Sequence, residues 1–305
     1  MLLTQESIVN ECKNRNIYIY DLAIEDEIKR SGTTKEDIYK EFSNILHVMR
    51  KSALKYLSSY STTATNMIDG FSRKMMDYFE KGDSYIGDCG VKAMAMAFST
   101  IEVNATMGKI VAAPTAGASG ILPAAVLIAQ EKFDFDDETL IKGLITAGYV
   151  GRLIGRYFNF AGAEGGCQAE CGSAASMAAA ALTQMKGGSV EQCFDAASFA
   201  LLNVMGLVCD PVAGLVEFPC TFRNSSGVIN ALICADIALA DVKSFIPYEE
   251  VLTAANNVGK ALPYTLRETS LGGVAMTASG LEIKEKYQGI IEQRREDLDK
   301  ITNTN

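Results

Sequence analysis

The stretch GAEGGCQAECGSAAS, residues 162 to 176, holds Cys167 and Cys171 four residues apart among mostly small side chains. Such a pair has three readings: metal ligands, a redox couple, or two small residues inside a tightly packed helix. Further along, Cys209 precedes Asp210 and Pro211, and Cys220 follows Pro219. Proline limits helix continuation at both places, so each thiol can project into a cavity. Cys167 follows Gly165 and Gly166 at an expected helix start, where the helix dipole favours a thiolate. Three cysteines at such breaks can converge as soft ligands. Cys12, Cys89, Cys193 and Cys234 lie inside ordinary helical text and read as small buried hydrophobes.

Histidine occurs once, as His47, and tryptophan not at all. That scarcity argues against histidine-rich zinc sites, Ser-His-Asp triads and Cys-His dyads. His47 has no visible partner and reads as a partly exposed helix residue. A closed structural zinc site takes four nitrogen or sulfur ligands, and catalytic zinc usually includes histidine. An iron-sulfur cluster is held by thiolates, and three of them leave one iron open. With neither C-x2-C nor a ferredoxin-like run in the sequence, spacing alone decides between none of these.

Four glycine-punctuated segments interrupt an otherwise helical pattern: NATMGKIVAAPTAGASGILPA, GAEGGCQAECGSAAS, GLVCDPVAGLVEFPCTFRNSSG and LRETSLGGVA. Loops of Gly, Pro, Ser and Thr that open onto apolar helices expose backbone N–H groups, which suit an anion such as a carboxylate. No Lys-Ser/Thr follows the glycines and no strand precedes them, so neither a P-loop nor a dinucleotide fingerprint is present. PTAGASG by itself reads equally well as a plain helix-start turn.

The elements that must position these residues are helices. TTKEDIYKEFSNILHVMRKSALKYLSSY opens with Thr33 and Glu36 in capping-box spacing and repeats Ile38, Phe42, Ile45, Leu46 and Met49 along one face. From about residue 90 small residues take over, as in GSAASMAAAAL and INALICADIALAD, which lets helix backbones approach closely. Ser189 and Gln192 form a second capping box, and Gly187 and Gly188 end the helix before it. KIVAAP, residues 109 to 114, is the best short strand candidate. The charged segment LEIKEKYQGIIEQRREDLDK predicts an exposed last helix, with ITNTN fraying beyond it. The expectation is an all-α, densely packed helical fold in a single domain over 1–305, its Gly/Pro-rich loops forming the site. Peripheral helices occupy about 1–90, the site-bearing core about 90–275 and the exposed C-terminal helix about 280–300.

Composition narrows the function classes. The 305 residues carry a net charge of -9 at pH 7 and a pI of about 4.9, with basic residues dispersed, so no basic face suits nucleic acid. The N-terminus lacks a signal-peptide pattern, and residues 196 to 209 are too short for the ~20 apolar residues of a membrane span. Eight cysteines in a non-secreted chain read as thiols or metal ligands rather than structural disulfides. An acidic cytoplasmic enzyme is the expectation.

Together, GAEGGCQAECGSAASMAAA, GLVCDPVAGLVEFPC followed by RN, APTAGASGILPA and RETSLGG resemble the α chain of the iron-sulfur-dependent bacterial L-serine dehydratases, over roughly residues 90 to 275. The resemblance implies an L-serine ammonia-lyase that forms pyruvate and ammonia with a [4Fe-4S] cluster and without pyridoxal phosphate, in amino-acid degradation and gluconeogenesis. Carried over by motif, the cluster ligands are Cys167, Cys209 and Cys220. The family pattern has an aliphatic residue where this chain has Cys171, which is therefore not an expected ligand, and often a cysteine at Ala175. An iron without a cysteine would act as Lewis acid on the serine hydroxyl. Thr115 and Ser119 with the PTAGASG N–H groups, or Arg223 and Asn224, are the candidates for the substrate carboxylate, although Arg223 can equally bridge to Glu217.

No general base is evident: His47 lies outside every motif, and Lys109 or Glu164 would need a strongly tuned pKa. In the family a β part, fused or separate, contributes a Ser-Ser-His-type segment that does not occur here. The resemblance thus implies a hetero-oligomer in which a separate β chain completes the site. A related L-cysteine or L-threonine lyase, a non-catalytic zinc-binding helical scaffold and a Cys167–Cys171 redox pair are the rival readings.

Overall fold

The computed structural model describes residues 3–302, and among them thirteen α-helices carry the fold. The only strand-like pairings among these residues are two isolated bridges, Thr62 with Asp69 and Cys209 with Arg267. The all-α expectation holds. Helices α1 (Gln5–Arg15), α2 (Ile19–Ser31) and α3 (Lys35–Leu54) come first, followed by α4 (Phe71–Phe79) and α5 (Gly87–Ala105). Then come α6 (Ile121–Phe133), α7 (Asp137–Ile154), the single turn α8 (Gly162–Gly165) and α9 (Ser173–Met185). Helices α10 (Val190–Leu202), α11 (Cys220–Leu239), α12 (Tyr248–Ala261) and α13 (Ala278–Thr302) complete the order.

Helix α9 is the axis of the core. Every residue from Ser173 to Met185 is buried, as expected of a helix with no charged face. Its alanines make it slim, and α6, α7, α10 and α11 close around it. Close approach is also written into α7, where a Cβ at Gly143 would lie 2.8 Å from Met185 and one at Gly151 3.0 Å from Met177. Helices α1 and α2 add Ile8, Cys12, Ile19, Leu22 and Ile24 to the same apolar core, against α10 and α7.

Several helix ends follow their side-chain chemistry. The Ser189–Gln192 capping box is present, with the Ser189 hydroxyl accepting from Gln192 N–H, and Gly187 takes φ 76° just past α9. The first predicted box is off by one residue. Thr34, not Thr33, caps α3: its hydroxyl accepts from Asp37 N–H at 3.1 Å and donates to Asp37 Oδ2 at 2.7 Å. Two Thr-x-x-acid pairs overlap here, and the later one starts the helix. KIVAAP forms no strand and leads into the loop at Thr115, because no neighbouring strand offers a ladder to pair with. No residue from Leu281 to Ile290 is buried, and α13 runs on to Thr302. Of ITNTN, residues 303–305 lie outside the described residues. No helix among the described residues is long and apolar enough to cross a membrane.

Candidate metal and substrate site

The first site element is a change of helical pitch. After α8 the chain turns at Gly166, whose φ is 73°; a Cβ there would sit 2.6 Å from Leu207 O, so glycine is needed for space as well as conformation. Residues Gln168–Gly172 then form one π-helical turn before α9 begins, a local widening often found at functional sites. It carries Cys167 at its start and Glu170 and Cys171 within it. Gln168 anchors the turn with both ends of its amide. Its Nε2 donates to Ala255 O at 2.8 Å, and its Oε1 accepts from Gly206 N–H at 2.8 Å. The loop leading to Cys209 is thereby tied to the turn that carries Cys167.

RETSLGG clamps the second cysteine. Cys209 N–H donates to Leu266 O at 2.8 Å, and Cys209 O accepts from Glu268 N–H at 2.7 Å. Ser270 donates its hydroxyl to Pro211 O at 2.6 Å. Asp210 is 3% exposed; its Oδ2 accepts from Val274 N–H at 2.8 Å and its Oδ1 from Arg223 Nη2 at 2.6 Å. Gly273, at φ 59°, lies so near Asp210 that a Cβ would overlap the carboxylate. This motif holds Cys209 and Asp210 through backbone and carboxylate contacts.

Cys220 is the first residue of α11 and is buried. One turn on, Arg223 places Nη1 3.0 Å from Cys167 Sγ. Its ionic partner is Asp210, not Glu217, whose Oε2 accepts from the Thr65 hydroxyl at 2.7 Å. Asn224 is fully buried with its amide committed: Nδ2 donates to Gly117 O at 2.7 Å and Cys220 O at 2.9 Å, and Oδ1 accepts from Gly120 N–H at 2.9 Å. It joins the PTAGASG loop to the start of α11. Ser119 is also fully buried and donates to Ala116 O at 2.8 Å. Thr115 differs from both. Its buried Oγ1 lies near enough to Glu170 to favour the charged carboxylate, yet makes no hydrogen bond of standard geometry.

The structure gathers Cys167, Cys209 and a carboxylate that sequence reasoning passed over, Glu170. Donor atoms of these three lie within 4.8 Å of one another. Cys220 is close enough for the Cys167 charge to act on it. Glycines make the room: a Cβ at Gly162 would sit 2.8 Å from Cys209 Sγ and 3.1 Å from Glu170 Oε2, and one at Gly117 3.4 Å from both Glu170 oxygens. An acidic residue between two cysteines in a small-residue stretch was the available signal for Glu170. None of the three base candidates is buried with these donors. His47 and Lys109 are exposed, on α3 and after α5, and exposed Glu164 accepts from Asn159 Nδ2 at 3.1 Å.

Charge is concentrated on one sulfur. The Cys171 and Cys209 thiols, then the Arg223 guanidinium, hold Cys167 well below the ordinary thiol range despite its burial. The two donor thiols are correspondingly pushed up. Burial, then the Cys167 charge, pushes Cys220 up to about 12 and Glu170 up to about 7. All the cysteines are free thiols. A buried thiolate beside further thiols and a carboxylate is a soft-to-borderline donor set that a cation would complete.

Residues 14–275 match the family model described as serine dehydratase alpha chain. The chain is 54% identical over 287 residues to the L-serine dehydratase alpha chain of Peptoniphilus asaccharolyticus, covering 94% of this chain and 98% of that one. It is 42% identical over 289 residues to the probable L-serine dehydratase alpha chain of Bacillus subtilis, covering 95% and 96%. The L-serine dehydratase of Streptomyces coelicolor is 38% identical over 194 residues, which are 61% of this chain and 42% of that longer one.

Proposed function

The chain belongs to the serine dehydratase alpha chain family, and from that premise we propose that it is the cluster-bearing α subunit of an L-serine dehydratase, converting L-serine to pyruvate and ammonia. One observation carries the reading: a buried Cys167 thiolate converges with Cys209 and Glu170, beside buried Cys220. Cys167, Cys209 and Cys220 would hold a [4Fe-4S] cluster. The donor chemistry fits such a group, since the sulfurs are free and buried. When bound, it would supply Lewis-acid polarisation of the substrate hydroxyl.

The chain's own residues divide between ligand contact and positioning. Thr115, with a buried hydroxyl lacking a regular partner, is the substrate contact among the four candidates. Ser119 and Asn224 shape the loop that presents it. Arg223 offers positive charge for the substrate carboxylate while Asp210 fixes its direction. With His47, Lys109 and Glu164 all exposed rather than buried beside the donors, the base that takes the Cα proton comes from a separate β chain. The words "alpha chain" in the relatives' names support that partner and hence a hetero-oligomer. The reading places the enzyme in the cytoplasm.

Anaerobic reconstitution tests it. About four iron and four sulfide per chain are expected, with serine turnover only after the partner chain is added. One zinc and no sulfide, or full turnover by this chain alone, would overturn the cluster and the partner respectively. Relative rates on serine, cysteine and threonine fix the substrate.

A further inference from the structure

Cys220 is absent from the tightest donor group of the site, whose three members are Cys167, Glu170 and Cys209. Two sulfurs and one oxygen within 4.8 Å of one another approximate the donor spacing around a single tetrahedral ion, with a fourth position left for water. We infer that the cluster-free chain holds one divalent cation of borderline-soft character, Zn2+ or Fe2+, on Cys167, Glu170 and Cys209. This rests on the same cysteines as the proposed cluster and adds a second, mutually exclusive occupant of the site.

Three observations support the assignment. The Glu170 carboxyl is lodged where Gly117 and Gly162 leave space: a Cβ on Gly162 would press on both Cys209 Sγ and Glu170 Oε2. Such a cradle brings an oxygen donor to the sulfurs, which packing alone would not require. Beside it, the buried Thr115 Oγ1, near Glu170 but without a hydrogen bond of standard geometry, can accept a hydrogen bond from a water in the fourth position. Charge also favours a cation. Two thiolates, the Glu170 carboxylate and Asp210 carry four negative charges against the one positive charge of Arg223, which lies 3.0 Å from Cys167 and 2.6 Å from Asp210, so a divalent cation offsets most of the excess. Binding would release the thiol protons to solvent, with no change of oxidation state.

The consequence is competition: a chain loaded with Zn2+ cannot accept the cluster without first losing the ion. Co2+ titration of the full-length, cluster-free chain under reducing, anaerobic conditions reads the site directly. One Co2+ per chain is expected, with tetrahedral visible bands and sulfur-to-cobalt charge transfer, and with Zn2+ displacing it. C209S should weaken the sulfur-cobalt signal, which Cys167 alone would then supply, and the double variant C167S/C209S should abolish it. E170Q should weaken binding by at least about tenfold, the loss that even an outer partner of a metal ligand can produce. C220S separates the two occupants, because it should leave Co2+ binding unchanged while iron-sulfur reconstitution fails. Wild-type chain that binds no Co2+, E170Q that binds as wild type does, or equal loss of Co2+ from C220S would each overturn the assignment. Failure of wild-type cluster assembly with Co2+ binding intact would overturn the proposed function instead.

Discussion

Arg223 and Asp210 form an ion pair at 2.6 Å with both side chains largely buried, 13% and 4% exposed. The same guanidinium reaches the Cys167 sulfur, and the same carboxylate caps Val274 N–H. One pair thus links the turn bearing Cys167, the segment bearing Cys209 and the RETSLGG clamp. Removing one partner from a buried pair strands a charge. Asp210→Ala should therefore destabilise the chain by about 3 kcal/mol, measured by denaturant unfolding. Asp210→Asn, which keeps an acceptor for Val274, should lose less. Equal losses would show that the charge on Asp210, not the acceptor it offers Val274, carries the whole effect.

Gly273 tests the clamp from the other side. Its φ of 59° and the missing Cβ let the chain pass against Asp210. Gly273→Ala should cost roughly 1–3 kcal/mol from the strained backbone alone and displace Asp210 from Val274. Thermal unfolding should shift downward, and iron content after anaerobic reconstitution should fall with it. A variant with unchanged melting and iron content would mean that Cys209 needs no such anchor.

Parts of this arrangement can be read in the sequence. The Ser189 cap, the alanine-rich α9 and the cysteines at proline and glycine breaks follow from local rules, because cap geometry and helix burial depend on nearby residues. Glu170 does not. Its significance arises when a π-turn swings it toward Cys209, thirty-nine residues later in the chain, and a carboxylate in helical text carries no mark of that. The Arg223 partner was missed for a related reason. Glu217 is near in sequence, but it precedes the start of α11 while Arg223 lies within it, and Glu217 faces Thr65 instead. The RETSLGG clamp acts through backbone N–H and carbonyl groups, to which side-chain pattern is nearly blind.

Glu102 provides a pH prediction away from the metal donors. Burial raises its pKa above the ordinary glutamate range, although the Ser61 hydroxyl at 2.6 Å and Ser72 N–H at 2.8 Å stabilise the charge. The folded state therefore binds this proton more tightly than the unfolded state. The resulting stability is complete below the unfolded glutamate pKa and is lost as pH rises through the folded value. Glu102→Gln removes that dependence. The unfolding free energy of wild type minus that of the variant should fall as pH rises from the glutamate range toward neutrality; a flat or rising difference would refute the direction of the shift.

Cys171 separates packing from coordination. It is buried on the π-turn, and its thiol is pushed up because it donates toward the Cys167 thiolate. Cys209 shares that donor role, so what sets Cys171 apart is the motif resemblance, which gives this position an aliphatic residue and implies packing rather than ligation. Cys171→Ala should therefore cost about 1 kcal/mol, as small core truncations do, and leave iron and sulfide content after reconstitution near the wild-type value. Cys167→Ala should abolish both, since it removes the one sulfur that the site keeps charged. Comparing the two by anaerobic iron and sulfide analysis, with circular dichroism to confirm that each is folded, decides the ligand choice. Equal loss of iron from folded Cys171→Ala would place Cys171 among the ligands and leave the assignment of Cys220 to be tested anew.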